Sequence, residues 1–349
     1  NDGVTILEEM HIEHPAAKML VEVAKTQEEE VGDGTTTAVI LAGELLKEAE
    51  ALLDREIHPT VIVRGYRLAS IKALEFLNTM AKPLVKNDTA TLIKIAQTAI
   101  TGKGAESAKD VIGPIAVEAV QRVIQETPQG LVYDRDLIKI EKSIGGSVEE
   151  TKLIDGVVID KEPVHPSMPV FVQNAKIALL DCALEIKNTE IDAKIQITEP
   201  SQVQGFLDQE ENMLKKMADL VTTSGANVVF CQKGIDDLVQ HFLAKRGVYA
   251  CRRVKKSDME SLAKATGANI ITSIHDLSPQ DLGGAGSVSK KAHGDEQFTY
   301  VEGCKNPKSV TILVHGGTEH SVDEVKRSVT DALGDVASAL KSGKVVAGA

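Results

Sequence analysis

Apolar residues spaced three and four apart dominate the first third of the chain. Ala38, Leu41, Leu45, Ala49 and Leu52 form one stripe, and Ile62, Tyr66, Ala69, Ala73 and Phe76 form a second, the period an α-helix imposes. From Glu8 to about Pro83 the pattern predicts helix. Further helices are expected from about Asp88 to Ile100, stopping at Thr101-Gly102-Lys103-Gly104, and from about Ala108 to Gln125. The character changes near residue 138. Leu137-Ile138-Lys139-Ile140 and Gly156-Val157-Val158-Ile159 read as short strands, while Ile177 to Asp181 and Ala226 to Phe230 read as buried strands of parallel type. Helix (Ile235 to Lys245), strand (Val248 to Cys251), helix (Asp258 to Thr266) and strand (Asn269 to Thr272) follow, which is an α/β unit. A last strand, Ser309 to Val314, precedes a long helix from about Ser321 to Lys341, with Val322, Val325, Val329, Val336 and Leu340 as its apolar stripe. The layout is helical, then α/β, then helical, without internal repeats.

At 349 residues the chain exceeds what one core serves, so two or three domains are expected. Its 42% apolar content excludes a wholly disordered chain. Six Phe, four Tyr and no Trp leave the cores to aliphatic residues and argue against aromatic platforms for single-stranded nucleic acid. A net charge of −12 argues against nucleic-acid and anionic-membrane partners, which need a concentrated positive surface. No stretch approaches the roughly 18 apolar residues of a membrane span. The expectation is a soluble, cytoplasmic protein. It lacks an initiator Met, so the sequence is read as a piece of a longer one. Cys182, Cys231, Cys251 and Cys304 form no C-x-x-C pair and read as small buried hydrophobes. His11 and His14 complete no ligand set, and no H-E-x-x-H occurs, which argues against a transition-metal enzyme.

The strongest chemical signal is Gly32-Asp33-Gly34-Thr35-Thr36-Thr37, directly before the helix of Ala38 to Leu53. Two glycines let the backbone approach an anion, three hydroxyls add donors, and the helix N-terminus supplies free N–H groups. Asp33 would repel phosphate unless a hard divalent cation lay between them, which points to Mg²⁺. The G-x-x-x-x-G-K-[ST] spacing is absent, so this is no P-loop. From the residues alone, an ordinary capped helix start explains the same motif equally well. Thr101-Gly102-Lys103-Gly104 could bring Lys103 to a phosphate, or could be a plain helix C-terminal turn.

Taken together, these loops resemble the archaeal group II chaperonins, the thermosome-like relatives of the eukaryotic cytosolic chaperonin. Leu153-Ile154-Asp155-Gly156-Val157-Val158, Cys231-Gln232-Lys233-Gly234-Ile235-Asp236-Asp237 and Glu302-Gly303-Cys304-Lys305 carry the resemblance further along the chain. It implies a subunit of a double-ring, ATP-dependent folding chamber with ATP and Mg²⁺ as cofactors. Its partners would be non-native client polypeptides and other chaperonin subunits. The implied fold is multidomain α and α/β. A largely helical equatorial domain would take residues 1–85, with the chain returning to it at 344–349. A small α/β intermediate domain would take 86–156 and 308–343, and an α/β apical domain 157–307. A helical lid protrusion at about 186–216 would replace a separate co-chaperonin cap. By the same resemblance Asp33 binds Mg²⁺, Gly32, Gly34, Thr35, Thr36 and Thr37 hold phosphate, and Lys103 senses the terminal phosphate. Asp331 positions the attacking water, with Asp2 as the second acid there.

By the same resemblance, client contact is expected at two apolar faces. One is the helix beginning near Pro200, with Val203, Phe206, Leu207, Leu214, Met217 and Leu220. The other is the helix of Leu238, Val239, Phe242 and Leu243. Flexible apolar side chains suit promiscuous binding. Periodicity alone does not separate such a face from one packed on its own domain. Family members begin earlier and continue well beyond Val346, and His315-Gly316-Gly317 replaces their usual Arg-Gly. The alternative reading is therefore a truncated, ATPase-inactive polypeptide-binding module.

Overall fold

The computed structural model describes residues 3–128, 130–186, 200–293, 296–304 and 309–347. Helix α1 (Gly3–Glu9) leads into α2 (Pro15–Glu30), α3 (Thr35–Leu53) and α4 (Pro59–Met80). Helices α2 and α4 begin on proline, where no hydrogen bond is forfeited. The imidazoles of His14 and His58 cap them by accepting from the Ala16 and Thr60 amides at 3.2 and 3.3 Å. A two-residue strand β1 (Lys82–Pro83), α5 (Thr89–Ile100), α6 (Lys109–Val123) and the hairpin β2–β3 (Gln125–Thr127, Gly130–Val132) complete this stretch.

Ten strands follow. They are β4 (Ile138–Ile144), β5 (Lys152–Ile154), β6 (Gly156–Ile159), β7 (Phe171–Leu180), β8 (Val228–Cys231), β9 (Tyr249–Cys251), β10 (Ile270–Ile271), β11 (Gly283–His293), β12 (Glu296–Cys304) and β13 (Val310–Gly316). Among them lie α7 (Pro200–Thr223), α8 (Asp237–Lys245) and α9 (Lys256–Thr266). The chain closes with α10 (Glu319–Ser342) and β14 (Lys344–Val345). Two compact units result, residues 1–133 with 318–349, and residues 134–317. A multidomain α and α/β protein is thus observed.

In the first unit α5, α6 and α10 pack together. The stripe Val322, Val325, Val329, Val336 and Leu340 is buried where α10 packs on α5 and α6, and Leu92, Ala96 and Ile100 of α5 are buried as well. Strand β14 returns antiparallel to β1, pairing Val345 with Lys82. Helices α3 and α4 show the same periodicity with the opposite outcome. Ile40, Leu41, Leu68, Leu74 and Phe76 are 57–67% exposed.

The second unit is built on a seven-stranded sheet of order β6-β12-β11-β7-β8-β9, with β10 also on β7. Strands β7, β8, β9 and β10 pair in parallel, as their continuous apolar runs predict. Alternate residues feed two cores. Ile177, Leu179, Val228 and Phe230 meet Met259 and Leu262 of α9, while Ala178, Leu180, Val229 and Cys231 meet Leu214 and Val221 of α7 and Val239 and Leu243 of α8. The antiparallel pair β11–β12 has no counterpart in the sequence reading. Its partly solvated strands carry glycine and lysine (Gly283, Gly284, Lys290, Lys291), which masks the period-two signal. A smaller sheet, β4-β13-β5, runs parallel on one side and antiparallel on the other. Lys139 of β4 reaches Glu141 and Asp258 at 2.7 Å each and donates to the Val158 carbonyl at 2.6 Å. Cys231 and Cys251 are buried and Cys182 and Cys304 half-buried. Burial pushes the Cys231 and Cys251 thiols up to about 12, so neither is a nucleophile. His315 is 2% exposed, edge-on to His293 with ring centres 5.3 Å apart.

Candidate functional site

The turn between α2 and α3 requires its glycines. Gly32 and Gly34 have φ of +90° and +79°, the left-handed region that glycine enters at little cost. Gln27 Nε2 donates to the Asp33 carbonyl at 2.9 Å and holds the turn against α2. Gly34 caps α3 without a side-chain hydrogen bond, so the first amides of the helix are left to a ligand or solvent. They open on a cavity of about 150 Å³ lined by Gly32, Asp33, Gly34, Thr35, Thr36 and Thr37 from this turn, Lys103 from the α5–α6 turn, and Asp331 from α10. That volume suits the phosphate end of a nucleotide rather than the whole of it.

Lys103 joins the two acids. Its Nζ stands 2.5 Å from Asp331 Oδ2 and 3.3 Å from Asp33 Oδ1, partners 228 and 70 residues away in sequence. Burial works against its charge, yet the Asp331 and Asp33 carboxylates outweigh that and hold the ammonium above the usual lysine range. Next door, Glu324 Oε1 accepts from the Gly104 amide at 3.0 Å. Asp335 lies one turn beyond Asp331. Burial, reinforced by Asp33 and then opposed by Lys103, pushes its carboxyl up to about 7. Among the described residues no group of three or more His, Cys, Asp or Glu could enclose a metal ion. A single carboxylate such as Asp33 fits Mg²⁺ nonetheless, because that ion keeps several waters and binds through one or two carboxylates plus phosphate oxygens. Such an ion would compete with Lys103 for Asp33.

Helix α10 seats on the turn backbone to backbone. A β-carbon on Gly334 would overlap the Val31 carbonyl oxygen and lie 3.1 Å from the Gly32 Cα. A β-carbon on Gly32 would in turn lie 3.3 Å from the Gly334 Cα. The pair therefore sets how closely Asp331 approaches Asp33.

A model of the TCP-1/cpn60 chaperonin family matches residues 1–349. The chain belongs to that family. It is 62% identical over 349 residues to the thermosome subunit beta of Archaeoglobus fulgidus, covering all of this chain and 64% of that protein. It is 61% identical over 348 residues to the thermosome subunit of Methanopyrus kandleri, again covering 64% of it. The open-state monomer of a group II chaperonin from Methanococcoides burtonii superposes with a TM-score of 0.68 at 47% identity, over 91% of this chain and 73% of that one. These matches bear out the resemblance to archaeal group II subunits. This chaperonin chain spans about 64% of the length of the curated relatives it matches.

Within this chaperonin chain, Gly32 to Thr37, Lys103 and Asp331 come together at one cavity. Asp2 lies outside the described residues, although its neighbour Gly3 lines the cavity. Ser328, also in the wall, was not foreseen. It interrupts the valine stripe of α10 one turn before Asp331, which is the signal that could have found it. On the expected client faces, Leu207 and Leu238 are 53% and 46% exposed. Leu214 is a correction: at 3% exposure it packs in the sheet core, and Met217 and Phe242 pack partly buried against the same cluster. Helical period marks an apolar face but not what the face meets. The side chains of Val203 and Phe206, and residues 187–199 of the expected lid, lie outside the described residues. No described helix is long and apolar enough to cross a membrane.

Proposed function

We propose that this chain is part of a subunit of a double-ring, ATP-driven folding chamber in the cytoplasm, binding non-native polypeptides and closing over them with a built-in lid. The observation that carries the reading is the convergence of Asp33, Lys103 and Asp331 beside the uncapped start of α3. In it, Asp33 would hold Mg²⁺, which would offset phosphate charge, and Gly32, Gly34 and Thr35 to Thr37 cradle the phosphates with backbone and hydroxyl donors. Lys103 meets the terminal phosphate, and Asp331, with Asp2, orients the attacking water. Because Asp331 rides on α10, hydrolysis is gated by the approach of that helix.

Domain limits follow the same reading. Residues 1–85 and 344–349 are equatorial, 86–156 and 308–343 intermediate, and 157–307 apical, with the lid near 186–216. The exposed apolar residues of α3 and α4 support a larger equatorial domain or a neighbouring subunit covering them. Leu207 and Leu238 are the client contacts best supported by exposure. The full-length protein tests the reading. It is expected to hydrolyse ATP only with Mg²⁺ and to restore a denatured client enzyme with ATP, and Asp33→Ala is expected to do neither. Suppression of client aggregation without ATP turnover would instead support the holding module.

A further inference from the structure

Ser328 is out of place on α10 by ordinary packing rules. It is 1% exposed, among the buried Val325, Val329 and Ala332, and it lines the phosphate cavity one turn before Asp331. Its hydroxyl has no hydrogen-bond partner. Helical serine and threonine usually return the hydroxyl to the carbonyl four residues earlier. Thr98, Ser261 and Thr266 of this chain do so, donating to Lys94, Ser257 and Leu262. A buried hydroxyl left unpaired costs stability, and alanine, a better helix former, would remove the cost. Among the described orphaned groups, Ser328 is the one in the wall of this cavity.

We propose that Ser328 is a further ligand-contacting residue of the phosphate site, its hydroxyl donating to a terminal phosphoryl oxygen of a bound nucleoside triphosphate. The inference rests on the nucleotide reading of the cavity given above. From the α3 side the donors are backbone amides and threonine hydroxyls. From the α10 side the wall offers Glu324 and Asp331, which repel a phosphoryl group, with Arg327 and Ser328 as the donors among them. A hydroxyl turns freely to suit an acceptor and adds no charge beside the acids. Carried on the same helix as Asp331, it makes the approach of α10 depend on whether the terminal phosphoryl group is present.

Ser328→Ala in the full-length protein tests this against a structural role, because the two predict opposite signs. The nucleotide-free variant is expected to assemble and to melt at the same or a higher temperature. Its affinity for a non-hydrolysable ATP analogue falls about tenfold or more, as for loss of a hydrogen bond to a charged group, while its affinity for ADP stays within about twofold. Unchanged affinity for the analogue overturns the proposal, as does an equal loss for ADP or a lower melting temperature without nucleotide. If the unsubstituted protein binds neither nucleotide, the nucleotide reading itself fails, and the Ser328 proposal falls with it.

Discussion

Lys139 and Lys103 each sit between two carboxylates, but in different surroundings. Around Lys139 the side chains of lysine, Glu141 and Asp258 are 15%, 14% and 8% exposed, both contacts are 2.7 Å, and a backbone carbonyl takes a further proton. That group joins β4 to α9 and is closed. Around Lys103 the figures are 24% for the lysine, 33% for Asp33 and 19% for Asp331, with contacts of 3.3 and 2.5 Å at the edge of a cavity. Beside it stand a carboxyl that resists ionisation, Asp335, and an unpaired hydroxyl, Ser328. The same charge pattern is thus structural where every group is satisfied. It is available for chemistry where some are left wanting.

The largest difference should appear in stability. Asp258→Ala leaves Lys139 its Glu141 contact but removes a buried charged partner at 2.7 Å, and should cost about 2–3 kcal/mol in denaturant unfolding of the second unit. Asp331→Ala leaves Lys103 its second acid and some solvent, so about 1 kcal/mol is expected for the first unit. Equal costs would erase the distinction between the two lysines. Next comes the seat of α10. Gly334→Ala should lower ATP turnover about tenfold, the equivalent of about 1.4 kcal/mol, with nucleotide affinity nearly unchanged. Helix propensity alone would make the substitution harmless or stabilising, so unaltered turnover would show that the close approach to Gly32 does not matter.

Much of this was legible in sequence where the signal is local. The stripes of α3, α4 and α10 and the buried runs of β7 and β8 are spaced within one element, and Gly32 to Thr37 announce a turn and a helix start together. The pairing of Lys103 with Asp331 was not readable, since it joins positions 228 residues apart. Nothing local marks Gly334, whose role comes from the Val31 carbonyl packed against it. Leu214 and Leu207 belong to one apolar pattern, yet one is core and the other surface, because only tertiary packing decides which face is covered. The polar residue inside the valine stripe, Ser328, was visible but carried no meaning without the cavity.

An effect of similar size concerns pH. Asp335 ionises near 7 in the folded chain against 3.8 ordinarily. The folded state therefore holds the extra proton between about pH 4 and 7. Stability of the first unit falls as pH rises through that window, and the loss is complete above it. Asp335→Asn should flatten this slope and raise stability at pH 8 by about 1–2 kcal/mol, after allowance for solvent screening. A slope unchanged in thermal melts from pH 4 to 8 would place the charge penalty elsewhere.

On the proposed reading, α10 brings Asp331 to a phosphate site whose binding groups, Ser328 apart, lie chiefly on other elements. Parallel measurement of ATP affinity and single-turnover hydrolysis in full-length Asp331→Ala tests it most directly. Hydrolysis should fall at least about a hundredfold, as expected on losing a general base, while ATP affinity stays within about threefold. Loss of affinity in step with hydrolysis, or hydrolysis that survives, would contradict it.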